Sequence, residues 1–96
     1  MDLGKLVEHM PVYSDITGTE LGAIDVHESG LRIQMEGHRF MIPLEYVESI
    51  VPERELALGK TQVRMVVYDV LGTKNELRFI ISGVHLATLM RRCGKA

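Results

Sequence analysis

The chain has 96 residues, of which 46% are hydrophobic and 25% are charged, with a formal net charge of −2. This length and composition predict a single globular domain over residues 1–96. The absence of an apolar run of about 18 residues excludes a membrane-spanning helix. The single cysteine, Cys93, excludes an internal disulfide and a cysteine-based metal site. The single cysteine, together with an N-terminal stretch that lacks a signal-peptide pattern, predicts a cytoplasmic protein.

The charge is divided unevenly along the sequence. Residues 1–48 contain three basic and nine acidic residues, whereas residues 49–96 contain eight basic and four acidic residues. Opposite charges on two parts of a chain can attract one another between copies. The division therefore favours a homo-oligomer if the two halves of the sequence are also separate in space, which the sequence leaves open.

The first third of the chain reads as β-strands. Residues 1–19 are predicted to form a first strand, at 5–13, and a polar connection, and Pro11 predicts that this strand lies at a sheet edge. Alternation of apolar and polar residues predicts a second strand at 21–27. The turn that follows, at 28–30, has Gly30 where a left-handed conformation would be wanted.

The stretch GLRIQMEGHRFMIPLEYV, at 30–47, is typical of a β-hairpin. A two-residue loop of Gly37 and His38 suits a type II′ turn. The predicted register then sets Glu36 opposite Arg39, Met35 opposite Phe40, Ile33 opposite Ile42, and Leu31 opposite Leu44. All apolar pairs fall on one face in this register, and Arg32 and Gln34 fall on the other.

The middle of the chain predicts a short strand at 49–51 that ends at Pro52, and then a charged loop at 53–60 with one helical turn at 53–58. Strands at 61–71 and 75–82 form the last hairpin. Residues 20–82 thus hold the remaining strands of the predicted sheet. The core face of the last hairpin carries Val63, Met65, Val67, Leu77, Phe79 and Ile81.

A C-terminal helix is predicted at residues 83–93. Ser82 suits the N-cap position, Gly94 suits the stop, and an apolar stripe of Leu86, Leu89, Met90 and Cys93 follows helical spacing. The fold class is therefore mainly β, a β-barrel or half-barrel of about seven mostly antiparallel strands with one C-terminal α-helix that closes one end.

The run LRIQMEGHRFMIPLEYVESIV, followed by VRMVVYDV, LRFIIS and a final helix, resembles the pleckstrin-homology-like superfamily, including its GRAM-like members. The resemblance covers residues 20–93 and extends to a domain found in archaeal taxis proteins. It implies a PH-like fold and the binding of inositol phospholipids, peptides or other proteins, without a common activity. Phospholipid-binding members use basic residues near the first loop, but here the loop reads SDITGTE and contains no base.

The stretch AIDVHESGLRI also resembles the signature of the PilZ barrel, which binds cyclic dinucleotides. Asp25 and Gly30 match that signature, whereas His27 stands where it has a serine. The arginines that precede it are missing, since no basic residue lies between Lys5 and Arg32. Their absence disfavours a PilZ-like site because arginine stacks on and bridges the nucleotide.

The leading prediction is a non-catalytic protein–protein interaction or adaptor module that self-associates through the outward face of the last hairpin. An apolar, tyrosine-containing patch rimmed by arginine is typical of interfaces. Strand curvature or the N-terminal segment could instead cover this patch within the monomer. The predicted interface residues are Arg64, Val66, Tyr68, Val70, Arg78 and Ile80.

Two other functions stay open. Asp25 and His27 share a strand face and are candidates for a metal or small-ligand site, and Arg91, Arg92 and Lys95 are candidates for contact with a membrane surface. No catalytic residue and no cofactor is predicted, because the nucleophile and phosphate-binding motifs are missing. The dispersed aromatic residues and acidic balance disfavour nucleic acid. The sequence does not identify the protein partner.

Overall fold

A computed structural model of the chain describes residues 2–35 and 37–95. Seven antiparallel strands form one sheet in the order β4-β3-β2-β1-β7-β6-β5, and one helix follows them, which confirms the mainly β fold class with a C-terminal helix. The elements are β1 Leu6–Tyr13, β2 Glu20–His27, β3 Gly30–Met35, β4 His38–Pro43, β5 Val47–Glu55, β6 Lys60–Tyr68, β7 Lys74–Ser82 and α1 Gly83–Arg92. Short 3₁₀ turns at Leu44–Tyr46 and Ala57–Gly59 lie on either side of β5.

One buried core lies on the inner face of this sheet. Every strand and α1 contribute to it, and the residues predicted for the core face of β6 and β7 are all buried there. Met10, Ile24, Ile33, Met65, Ile81 and Leu89 are among its largest fully buried side chains. Burial of such side chains contributes about 1.5–3 kcal/mol each. The core therefore ties both ends of the chain to the middle.

Pro11 lies where the sheet leaves one side of its strand free. Pro11 pairs with Ala23 of β2, while β1 pairs with β7 only through Tyr13 and Ile80. The prediction that β1 is an edge strand is wrong, because β1 lies between two strands. Around Pro11, however, it has a neighbour on one side only, which suits a residue without an N–H group.

Pro52 does not end its strand, contrary to the prediction. Strand β5 continues through Pro52 to Glu55, with an irregularity in its pairing to β6 between Pro52 and Arg54. Since β5 is the last strand in the sheet order, a missing N–H group can be tolerated on its free side. The predicted helical turn at 53–58 is replaced by the end of this strand and the 3₁₀ turn at Ala57–Gly59.

The β3–β4 hairpin forms in a different register from the predicted one. Met35 pairs with His38, Ile33 with Phe40 and Leu31 with Ile42, which is a shift of two residues. Strand faces repeat every two residues, so this shift keeps the apolar side chains on the inner face. Gly37 takes the left-handed φ of +78°, and His38 is the first residue of β4. The predicted pairing of Glu36 with Arg39 lies outside the described residues.

Gly30 has a different role from the predicted one. Gly30 is the first residue of β3, and it does not adopt a left-handed φ. A Cβ atom at Gly30 would collide with the Ile42 carbonyl oxygen and the Leu3 side chain. Glycine is required here by the close approach of β4 and the N-terminal segment.

The C-terminal helix agrees closely with its prediction. The Ser82 hydroxyl accepts a hydrogen bond from the His85 amide at 3.2 Å, and Gly94 has a left-handed φ of +69° at the stop. The stripe packs on the core: Leu86 and Leu89 are buried, and Met90 and Cys93 pack against the cluster. Burial raises the pKa of the Cys93 thiol to about 11, with Lys95 opposing the shift. No helix among the described residues is long and apolar enough to cross a membrane.

Candidate functional site

The apolar centre of the predicted interface is buried within the monomer. Val66 is 4% exposed and Ile80 is 8% exposed, so the expectation that both face solvent is wrong. Val66 lies between Ser49 of β5 and Glu76 of β7. Ile80 is paired with Tyr13 of β1, so the N-terminal strand runs beside it. The sequence left open the alternative that the N-terminal segment covers this apolar patch within the monomer.

The charged rim of the predicted interface is at the surface. Arg64 lies opposite Arg78 in the pairing of β6 with β7. Each arginine has a carboxylate near its Nε atom: Glu53 lies 3.7 Å from Arg64, and Glu76 lies 3.2 Å from Arg78. Val70, 57% exposed, lies in the turn after β6 rather than on a strand, because β6 ends at Tyr68.

Tyr68 is engaged by neighbouring charged residues. Its hydroxyl donates a hydrogen bond to Glu48 Oε1 at 2.8 Å, and Lys74 Nζ lies 3.5 Å from Glu48 Oε2. The hydrogen bond from Tyr68 holds the pKa of Glu48 below its ordinary value, and Lys74 adds to this effect. The same hydrogen bond, together with the Glu48 charge, raises the pKa of Tyr68.

We expect the Tyr68→Phe variant to raise the pKa of Glu48 toward its ordinary value. The folded-state pKa of Glu48 lies below its unfolded value, so its stabilising effect is present above the unfolded pKa and is lost as the pH falls through the folded pKa. Tyr68→Phe should therefore lose stability at neutral pH and lose progressively less in acid. Carboxyl-detected NMR titration measures the Glu48 pKa directly. Tyr46→Phe is the control, and equal Glu48 titration in both variants would contradict the assignment.

Asp25 and His27 lie on the outer face of β2 but have separate partners. Asp25 Oδ1 is 2.5 Å from His9 Nδ1, a contact that follows from the pairing of His9 with Asp25 across β1 and β2. His27 Nδ1 lies 3.1 Å from the Gly4 carbonyl oxygen. Among residues 2–35 and 37–95, no group of three or more His, Cys, Asp or Glu residues could hold a metal ion. The contact of Asp25 with His9 was not predicted, because it depends on the pairing of β1 with β2.

The basic residues at the end of α1 are unevenly exposed. Arg91 and Lys95 are exposed, whereas Arg92 is half-buried. Arg91 and Arg92 lie in the last turn of the helix, where cations also stabilise the helix dipole, and Lys95 follows it. Their position is explained by helix stability whether or not they contact a membrane.

A groove between β5 and α1 adjoins a free sheet edge. We name it the β5–α1 groove, and its cavity has a volume of about 460 Å³. Its lining comprises Pro52, Glu53, Arg54, Glu55, Thr61, Gly83, Leu86, Ala87 and Met90. The helix contributes the apolar side chains of Leu86 and Met90, and the small residues Gly83 and Ala87 leave space above them. The strand contributes charged residues and an edge that faces no other strand.

The sequence carried only part of the signal for this groove. The stripe of α1 was visible at helical spacing, but its predicted role was only to close one end of the sheet. Leu86 is buried, whereas Met90 is half-buried and Ala87 is exposed, so one side of the stripe faces the groove. Its other wall required β5 to continue past Pro52, which the prediction excluded.

Comparison with known proteins bears on the fold. No protein-family model matches the chain. No curated protein matches it either. Among solved structures, the chain is similar to the crystal structure of the C-terminal domain of an unknown protein from Leishmania infantum, with a TM-score of 0.57 and 11% sequence identity over 93% of this chain and 84% of that chain. At this identity, the similarity shows a shared fold alone.

Proposed function

We propose that this protein is a non-catalytic interaction module that binds an extended segment of a protein partner along the free edge of β5. The observation that carries the proposal is that residues 52–55 of β5, the last strand of the sheet, line the β5–α1 groove. An extended peptide can add a strand to an exposed sheet edge, where main-chain hydrogen bonds give affinity and side-chain pockets give specificity.

The chemistry of the groove suits alternate side chains of such a strand. Leu86 and Met90 offer an apolar floor to side chains that point toward α1. Side chains on the other face of the added strand would point away from the sheet core, since strand residues alternate. We therefore expect a partner segment with apolar residues at every second position.

Strand β5 suits this role better than β4, the other edge of the sheet. Strand β4 has six residues and ends at Pro43, while β5 has nine. A longer edge offers more backbone hydrogen bonds to an added strand.

The resemblance to PH-like and GRAM-like domains supports the same class of function. Seven antiparallel strands followed by a C-terminal helix agree with the order of elements on which the resemblance rests. Members of that superfamily include peptide-binding and protein-binding domains. Homo-oligomerisation stays a prediction. Self-association through the outward face of the last hairpin has less support, because Val66 and Ile80 are buried.

The Ala87→Arg variant is expected to weaken peptide binding by at least about tenfold. Ala87 is exposed and lines the groove, so arginine would fill it without disturbing the core, and both residues favour helix. Peptides selected from a displayed library of random extended sequences against the whole chain provide the probe. Fluorescence anisotropy measures their dissociation constants.

The matched control is Val84→Arg, which adds the same charge at an exposed position of α1 outside the groove lining. Equal binding by both variants, or selected peptides without a two-residue apolar repeat, would contradict the proposed mode of recognition.

A further inference from the structure

A second cavity, larger than the β5–α1 groove, is lined by residues of β1, β2, β5, β6 and β7. Its volume is about 590 Å³, within the range of small-ligand pockets. We name it the arginine pocket: Leu21, Leu56 and Ile80 form its apolar part, and Tyr13, Arg54 and Arg78 stand at its polar part.

Strand pairing brings these residues together from distant parts of the sequence. Arg54 pairs with Gln62, Gln62 pairs with Ile80, and Ile80 pairs with Tyr13. The four residues thus form one row across β5, β6, β7 and β1. Arg78 precedes Ile80 by two residues on β7 and therefore lies on the same outer face. Of the six residues named for the pocket, five lie on strands, which hold side chains more firmly than loops do, and Leu56 follows the end of β5.

The positive charge at this pocket is only partly neutralised. No carboxylate within residues 2–35 and 37–95 lies within 4.0 Å of the Arg54 guanidinium. Arg78 Nε is 3.2 Å from Glu76 Oε1, but both side chains are largely exposed, and exposed pairs are weak. Lys60 Nζ lies 4.2 Å from the centre of the Tyr13 ring, adding a third cation beside the pocket.

Asp15, the one acid in the pocket lining among the described residues, forms hydrogen bonds within its own loop. Asp15 Oδ1 accepts hydrogen bonds from the Thr17 hydroxyl at 2.6 Å, the Thr17 amide at 3.0 Å and the Thr19 amide at 3.3 Å. The Thr17 hydroxyl, followed by the Thr19 amide, lowers the pKa of Asp15, which stays ionised. Its charge is thus directed at the β1–β2 connection and stabilises the wall of the pocket.

We propose that the arginine pocket binds a small amphipathic organic anion, with a carboxylate or phosphate held by Arg54 and Arg78 and an apolar body against Leu21, Leu56 and Ile80. Guanidinium groups bind such oxyanions through two parallel hydrogen bonds. The apolar body enters the pocket while the anionic group stays near its rim. This orientation suits a monomeric amphiphile, since a lipid in a bilayer would present its head group first.

The test is a titration of the whole ¹⁵N-labelled chain with decanoate below its micelle concentration, followed by NMR. We expect saturable shifts at Tyr13, Arg54 and Ile80. Acetate, which has the charge without the chain, and decanol, which has the chain without the charge, should each bind at least about tenfold more weakly.

Variants assign the binding to this pocket. Arg78→Gln and the double variant Arg54→Gln/Arg78→Gln should weaken decanoate binding, the double variant by at least about tenfold. Arg32→Gln, at an exposed arginine on β3, and the groove variant Ala87→Arg should leave it unchanged. Binding that survives the double variant, the absence of saturable decanoate binding, or binding only to phosphatidylglycerol vesicles would overturn the proposal. Arg54 lines both cavities, whereas Arg78 lines only the arginine pocket and Ala87 only the β5–α1 groove, so the single variants Arg78→Gln and Ala87→Arg distinguish failure of this proposal from failure of the proposed function.

Discussion

Replacement of Leu89 by alanine is expected to lower the free energy of unfolding by about 2–5 kcal/mol. Leu89 is fully buried and joins α1 to the core that all seven strands share. Its truncation removes apolar contacts and leaves a cavity that a tightly packed sheet cannot close. A domain of this size has a total stability of about 5–15 kcal/mol. Urea denaturation of the wild type and the variant measures the difference.

Val84→Ala is the control for that result, because Val84 lies on the same helix and is 79% exposed. Its stability should stay within about 0.5 kcal/mol of the wild type. A loss of under about 1 kcal/mol for Leu89→Ala would mean that α1 is not part of the cooperative core.

The second large effect is expected from Gly22→Ala. A Cβ atom at Gly22 would collide with the Gln34 carbonyl oxygen and would lie 2.6 Å from Met35 Cα, both on the paired strand β3. Backbone atoms cannot move aside as a flexible side chain can, so the β2–β3 pairing must shift. We expect a loss of about 1–3 kcal/mol, measured by the same denaturation experiment.

Gly83→Ala provides a matched glycine control. The added Cβ atom would have an ordinary contact of 3.5 Å with the Gly59 carbonyl oxygen, at the start of α1. Alanine is favoured over glycine in a helix, so this variant should be unchanged or more stable by about 0.4–1 kcal/mol. Similar losses in both variants would contradict the close approach of β2 and β3 at Gly22.

Local patterns in the sequence were sufficient to predict most elements of the fold. Ser82 as N-cap, Gly94 as stop and the stripe between them depend on residues within one helix, and all three agree with the structure. The β6–β7 pairing followed in the same way from alternation and a short turn. Such features depend on neighbours within a few residues, which a single sequence displays.

Features that depend on long-range pairing were predicted less well. The hairpin register was displaced by two residues, because alternation is satisfied equally well in either register. The contact of Asp25 with His9 required the pairing of β1 with β2. The burial of Ile80 required β1 to meet β7 at a single residue, Tyr13, which no local pattern indicates.

The candidate sites belong to this second group. The β5–α1 groove needs β5 to pass through Pro52, where a proline rule applied too strictly ended the strand. The arginine pocket joins Tyr13 to Arg54 and Arg78 only through the order of strands in the sheet. Side chains from three separate strands cannot be assigned to one cavity until that order is known.

The most direct test of peptide recognition along β5 is amide hydrogen exchange of the whole chain, measured with and without a selected peptide. We predict that edge amides within Val47–Glu55 exchange rapidly in the free chain and become protected in the complex, while the Leu86 and Met90 methyl signals shift. Protection confined to β4, or a complex that leaves the β5 amides unprotected, would contradict the proposed function.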